Sequence, residues 1–351
     1  MQKSLRYAVD GSFFTQRLSG IQRFAVELLA ALDEQLPPDT LCIVVPQGTQ
    51  TPAYRNLRVV QYGAPGPRWE QWDYPRYLAK HRLRWLCLCN VIPLAAPRRC
   101  NGIAVLHDVC YRARPDFYTD PRGRASAAWH KLHYRAIVRR AEKIVTVSEF
   151  SKSEIVRYYH ADAARIHVVY NAWQQMQRVS QDDTVFQRHP ALQPGEYYFS
   201  MANLLKNKNF PWVLRAAAAK PQAQFAIAGG GSLAEQAAQL GLADLPNVHY
   251  LGYVTDEEAR ALMAHCKAFL FPTLYEGFGI PPLEAIACGA PQVYVSDTPC
   301  MREVYGDCAG YIDLATNPGN VDDIAPPKAP AAQLLQRYSW QESARRLAAL
   351  L

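Results

Sequence analysis

The chain has 351 residues, nine cysteines and a formal net charge of +7, and 49% of it is hydrophobic. That length exceeds what one hydrophobic core usually organises, so two domains are expected; no stretch nears the roughly 20 uncharged apolar residues of a membrane span, and no signal-peptide apolar run follows Met1, which implies a cytoplasmic protein. Residues 1–190 hold 27 Lys and Arg against 16 Asp and Glu, whereas 191–351 hold 11 against 15, and the arginines accompany no DNA- or RNA-binding motif, so nucleic acid is not the expected partner.

In chain order, residues 7–10 read as a first strand and 20–32 as a helix with Ile21, Phe24, Ala25, Leu28, Leu29 and Leu32 on one face. Gly20, at that helix start, lies where backbone N–H groups favour an anion or a hydroxyl. Strand-like runs follow at 41–46, 59–62, 85–89, 102–106 and 143–148, and Ser148 suits the N-cap of a helix over 150–158. Cys87 and Cys89 lack metal-ligand partners at finger-like spacing, and the scattered cysteines read as reduced core thiols. His107 and Asp108 follow the run 102–106, at a strand's C-terminal end, where open α/β sheets hold their ligands; Asp108 equally suits capping the turn that follows.

A polar stretch at 173–195 reads as a linker. A second set of strands follows at 197–201, 224–228, 248–251, 268–271 and 292–295, and the alternation with helices predicts a doubly wound parallel sheet in each half. A proline-rich segment, 324–330, precedes a last amphipathic helix over 340–351.

The chemistry concentrates after the run 268–271, in Glu276-Gly-Phe-Gly-Ile-Pro-Pro-Leu-Glu284. Gly277 and Gly279 let the backbone approach a ligand, and a helix beginning near Ile280 aims N–H groups and a partial positive charge at it, as a nucleotide diphosphate requires. Glu276 is placed to accept hydrogen bonds from sugar hydroxyls, and Glu284, about one helical turn in, to take two ribose hydroxyls. Lys206 and Lys208, with Asn203, follow the strand 197–201, and a glycine-rich turn at 229–232 follows 224–228 without the spacing of a dinucleotide fingerprint.

The spacing of Glu276 and Glu284 and the residues between them resemble the E-x7-E signature of retaining glycosyltransferases of family 4, with the GT-B fold and nucleotide-sugar donors. The resemblance implies an acceptor-binding Rossmann-like domain over 1–172, a donor-binding one over 173–335, a cleft between them, and a helix over 336–351 that returns to the first domain. It implies donor contacts from Gly20, Asn203, Lys206, Lys208, Gly229, Tyr253, Gly277, Phe278, Gly279, Ile280 and Glu284. His107, Glu276 and Lys208 would be catalytic, with Asp108 in support. Lys208-Asn209 matches a K-N segment whose basic residues bind the diphosphate; where many members carry an arginine, this chain has Asn203 and Asn207. Transfer of mannose from GDP-mannose to a glycan or lipid-pyrophosphate-linked acceptor, in polysaccharide or lipopolysaccharide assembly, is the expected activity. Neither a cofactor nor a metal is expected, since no D-x-D pattern occupies a suitable loop.

The basic N-terminal half suggests peripheral contact with an anionic membrane at its inner face, through Arg76, Lys80, Arg82 and Arg84 interleaved with Tyr77, Leu78, Leu83 and Trp85. Two other readings share the fold: a nucleotide-sugar epimerase, which would turn over without an acceptor, and a non-catalytic partner subunit, which the missing arginine favours.

Overall fold

The computed structural model describes residues 5–231, 237–238, 240–242 and 245–351; Ser232 of the glycine-rich turn and the N-terminal residues 1–4 lie outside them. The chain forms two compact units, one of Met1–Asn171 with Trp340–Leu351 and one of Ala172–Ser339.

The first unit is built on strands β1 (Tyr7–Asp10), β2 (Leu41–Val45), β3 (Arg58–Gln61), β4 (Arg84–Cys87), β5 (Ile103–Val105), β6 (Lys143–Thr146) and β7 (Ile166–Val168). Every pairing is parallel, in the order β3-β2-β1-β4-β5-β6-β7. Strands covered on both faces are mostly apolar, and β1, β2 and β5 are buried at every position, Asp10 at the end of β1 being the polar exception. The order reverses between β1 and β4, the switch point beside which ligands sit in such sheets. Ser148 caps helix Glu149–Tyr159 by accepting from Ser151 N.

Helix Trp340–Ala348 completes this unit against helix Gly20–Gln35, with Trp340, Ala344 and Leu347 buried and the Trp340 ring 6.0 Å from Phe24. Its predecessor, helix Ala331–Arg337, belongs to the second unit.

The second unit holds β8 (Tyr197–Met201), β9 (Gln224–Ala228), β10 (Val248–Gly252), β11 (Ala268–Phe271), β12 (Val293–Ser296) and β13 (Gly310–Ile312), again all parallel, in the order β10-β9-β8-β11-β12-β13. Its switch point lies between β8 and β11, so the loops after those two strands emerge side by side.

Two expectations need correction. The polar stretch 173–195 is not a free linker: it forms helices Gln175–Arg178 and Thr184–Arg188, buries Gln175, Met176, Val185 and Leu192, and is tied down by Arg260, whose Nη1 donates to the carbonyls of Met176 and Val179. Its polar surface residues masked a short apolar set. In 76–85 the interleaved apolar residues are core, because Tyr77, Leu78, Leu83 and Trp85 are all buried in the first unit's hydrophobic cluster. Exposed apolar surface flanked by basic residues lies instead on helix Pro121–Arg140, where Trp129 and Leu132 are 44% and 51% exposed and Arg135 and Arg139 are also exposed.

Candidate active site

The two loops at the second switch point are stitched together by backbone carbonyls that accept from one backbone N–H and two asparagine side chains. Leu274 N donates to Asn207 O at 2.7 Å, Asn209 Nδ2 to Pro272 O at 3.0 Å, and Asn207 Nδ2 to Tyr275 O at 3.4 Å. Asn209 takes the left-handed conformation, φ 54°, which asparagine tolerates better than most residues, and starts helix Phe210–Ala219. Asn207 thus serves the loop's architecture, through its side-chain amide and its backbone carbonyl.

This stitching sets Lys208 against Glu276. Lys208 Nζ lies 2.5 Å from Glu276 Oε1, and the Thr273 hydroxyl is 2.8 Å from the same oxygen and from Asn207 O. The two side chains retain 19% and 12% exposure, so the pair is largely desolvated. A carboxylate accepts through both oxygens. Oε1 is anchored, while Oε2 takes no hydrogen bond among the described residues.

Gly279, at φ 83°, precedes helix Ile280–Ala287 and accepts from the Tyr305 hydroxyl, while Phe278 is buried against Tyr338. The helix start is poorer in donors than expected. Pro281 and Pro282 have no N–H, so the N–H groups of the first turn that lack an intrahelical partner reduce to those of Gly279 and Ile280. Glu284 is buried on the inner face, where Oε1 accepts from Gln175 Nε2 at 2.8 Å.

Gly229 is required by close approach: at φ 145°, a Cβ there would lie 1.8 Å from Ala202 O. Leu204 N donates to Gly230 O and Gly229 N to Gly252 O, which gathers the loops after β8, β9 and β10. Asn203 and Lys206 are exposed on the first of these loops, and Tyr253, 61% exposed, follows the last. Gln175 and Thr273 are site residues that sequence reasoning missed.

In the first unit, His107 follows β5 and is buried. Its Nε2 lies 2.9 Å from Leu88 O, its backbone N donates to Asn90 Oδ1, and its ring meets Phe24 edge-on at 4.9 Å. Burial pushes its pKa down to about 4, against the weaker opposing effect of the Leu88 carbonyl. The ring is therefore neutral near pH 7, with the proton on Nε2, because a carbonyl only accepts, and the lone pair on Nδ1. Asp108 accepts from Cys110 N at 2.8 Å, as a turn cap does, and Gly20 is exposed at the first position of its helix. Asp10, closing β1, has its carboxyl raised well above the usual range by burial first and by Glu70 second; its Oδ1 accepts from Ser12 N, and the Ser12 hydroxyl donates to Glu70.

Two doubly wound parallel sheets, each with a switch point, and a last helix built into the first unit define a GT-B protein of the α/β class. The same architecture extends over 99% of this chain and 98% of HepE from Anabaena, crystallised with UDP and glucose, at a TM-score of 0.69 and 16% identity. Residues 18–173 match Glycosyltransferase Family 4 and residues 181–327 match Glycosyl transferases group 1, and the chain belongs to these glycosyltransferases. It is 30% identical over 260 residues to O-antigen chain mannosyltransferase B of Escherichia coli, covering 70% of this chain and 64% of that one. To O-antigen chain mannosyltransferase RfbU of Salmonella typhimurium it is 27% identical over 223 residues, covering 61% and 57%. The chain thus spans less than two thirds of the length of these curated relatives.

Proposed function

We propose that this chain is a retaining glycosyltransferase that moves a hexose, mannose from GDP-mannose, to a hydroxyl of a glycan or lipid-pyrophosphate-linked saccharide in polysaccharide or lipopolysaccharide assembly. The observation that carries the reading is Glu276 beside Lys208 at the β8/β11 switch point, one carboxylate oxygen anchored and the other open. Mannose is supported by the names of the two O-antigen relatives.

In this reading the second unit takes the donor and the first the acceptor. Lys208 meets the diphosphate, helped by the Gly279 and Ile280 N–H groups, and Glu284, held by Gln175, meets the ribose. Glu276 Oε2 accepts from a sugar hydroxyl, and in the first unit neutral His107 keeps Nδ1 as a hydrogen-bond acceptor. Glu276 already shares its anchored oxygen with Lys208 and so is a poor attacking nucleophile. Front-face transfer follows, in which the leaving diphosphate deprotonates the incoming hydroxyl and fixed charges stabilise an oxocarbenium-like sugar. Lys208 supplies the cation at the diphosphate, so no metal is required. Peripheral contact with anionic lipid falls to helix Pro121–Arg140, where exposed Trp129 and Leu132 flank arginines.

The test is incubation of GDP-mannose with a mannose-terminated lipid-linked acceptor, with and without EDTA, followed by NMR of the product's anomeric proton. An α-linked product formed equally in EDTA is expected. Inversion, a requirement for added Mg²⁺, or donor conversion without acceptor would overturn the mechanism.

A further inference from the structure

Tyr7, Arg84 and Lys143 are the first residues of β1, β4 and β6, and beside them, at the sheet edge opposite Asp10 and His107, lies a cavity of about 830 Å³. Its walls carry Arg6, Arg82, Arg84, Arg99 and Lys143, against Glu142 and the α-carboxylate of Leu351 as the acidic groups, so cations outnumber anions. Glu142 is already engaged by Arg84 at 2.6 Å, and Lys143 Nζ reaches the Leu350 carbonyl at 2.5 Å. Arg6, Arg82 and Arg99 are exposed and have no acidic partner among the described residues. Like charges gathered around one cavity repel, and an anion relieves that repulsion. Arg82 also occupies a left-handed position, φ 55°, at the end of helix Asp73–His81, where glycine or asparagine is the low-strain choice.

We propose that this cavity is a binding site for a phosphate group, gripped by the guanidinium forks of Arg6, Arg82 and Arg99, which match phosphate oxygens in bidentate fashion. The cavity is partly open to solvent and leaves room beside a phosphate for a larger body, with Leu5 and Leu350 as an apolar wall. A phosphorylated saccharide and a phospholipid headgroup both present this chemistry. The site lies on the edge of the first unit's sheet away from its own switch-point loops and shares no residue with the set around Lys208.

The test uses the full chain carrying Lys208→Ala, which removes the donor-side cation, with and without the added pair Arg6→Gln and Arg99→Gln. Inorganic pyrophosphate is titrated calorimetrically, and co-sedimentation compares phosphatidylcholine vesicles with equal mixtures of phosphatidylcholine and phosphatidylglycerol. In at least one arm, binding weakens by about tenfold or more in the added pair, from two lost charge-assisted contacts, with an unchanged melting temperature. A loss confined to pyrophosphate identifies a soluble phosphate, and one confined to anionic vesicles a lipid headgroup. Absent binding in both arms, or binding in both that ignores the two arginines, overturns the proposal.

Discussion

Glu276 concentrates the site's chemistry in one side chain. Glu276→Ala should lower turnover by about 2–4 kcal/mol of transition-state stabilisation, the scale of a lost electrostatic contact, and should also lower the melting temperature by leaving the largely desolvated Lys208 without its carboxylate; near-normal kcat in the mannosyl-transfer assay would remove it from catalysis. Glu284→Ala should instead raise donor KM with a smaller change in kcat, because a ribose contact is similar in ground and transition states. A strong fall in kcat at unchanged KM would reassign it. The pH behaviour rests on opposed groups. Burial lowers His107 and His133 to about 4 in the folded chain, from 6.5. Their contribution to stability is therefore complete above about pH 6.5 and lost as pH falls toward about 4. Asp10 runs the other way: its raised carboxyl favours folding in acid, and that benefit disappears as pH rises through its folded value. Asp10→Asn, which keeps an oxygen for Ser12 N, should raise the melting temperature at pH 8 and leave it unchanged at pH 4; equal shifts at both would show that Asp10 is not protonated in the fold. Glu276 and Lys208 were legible in the sequence because their signals are local, a glutamate pair around a glycine turn and a lysine after a strand. Gln175 was not, since its partner Glu284 lies 109 residues away and only the fold joins them.

Among the elements, the two glycine turns differ in how far a side chain can be absorbed. At Gly279 an added Cβ meets the flexible end of Met301 at 2.8 Å, so the left-handed backbone is the main penalty, about 1–2 kcal/mol for alanine. At Gly229 it meets a backbone carbonyl at 1.8 Å, which has no rotamer to give way. Gly229→Ala should therefore lower the denaturation midpoint more than Gly279→Ala; the reverse order would mean that the loop after β9 yields more readily than its packing implies. Strand positions were readable where an apolar run was long enough, as in β2 and β8. The edge strands β7 and β13 were not read as strands: β5 is equally short but sits in the apolar run 103–106, whereas His167 interrupts β7 and Asp313 directly follows β13. Helix Ala331–Arg337 was missed for another reason: it follows a proline-rich segment and buries only Leu334, so it carries little periodic signal.

At the scale of the whole molecule, the first unit is closed by a segment from the far end of the chain. Trp340→Ala should cost about 3–5 kcal/mol, the usual range for a large buried aromatic, and should act on the first unit. Hydrogen exchange would check this: faster exchange is expected in helix Gly20–Gln35, with helix Phe210–Ala219 unaffected, and equal acceleration in both would contradict it. The late arrival of Trp340–Ala348 at the first unit also sets a timetable for synthesis. Residues 172–339 must be translated between the first unit's early sequence and the helix that covers Phe24. At ribosomal rates that interval is roughly ten to thirty seconds. For that time the nascent chain presents the bare apolar flank of its first helix, so this side of the molecule is where a chaperone's grip or a neighbouring chain's misplaced contact has longest to form.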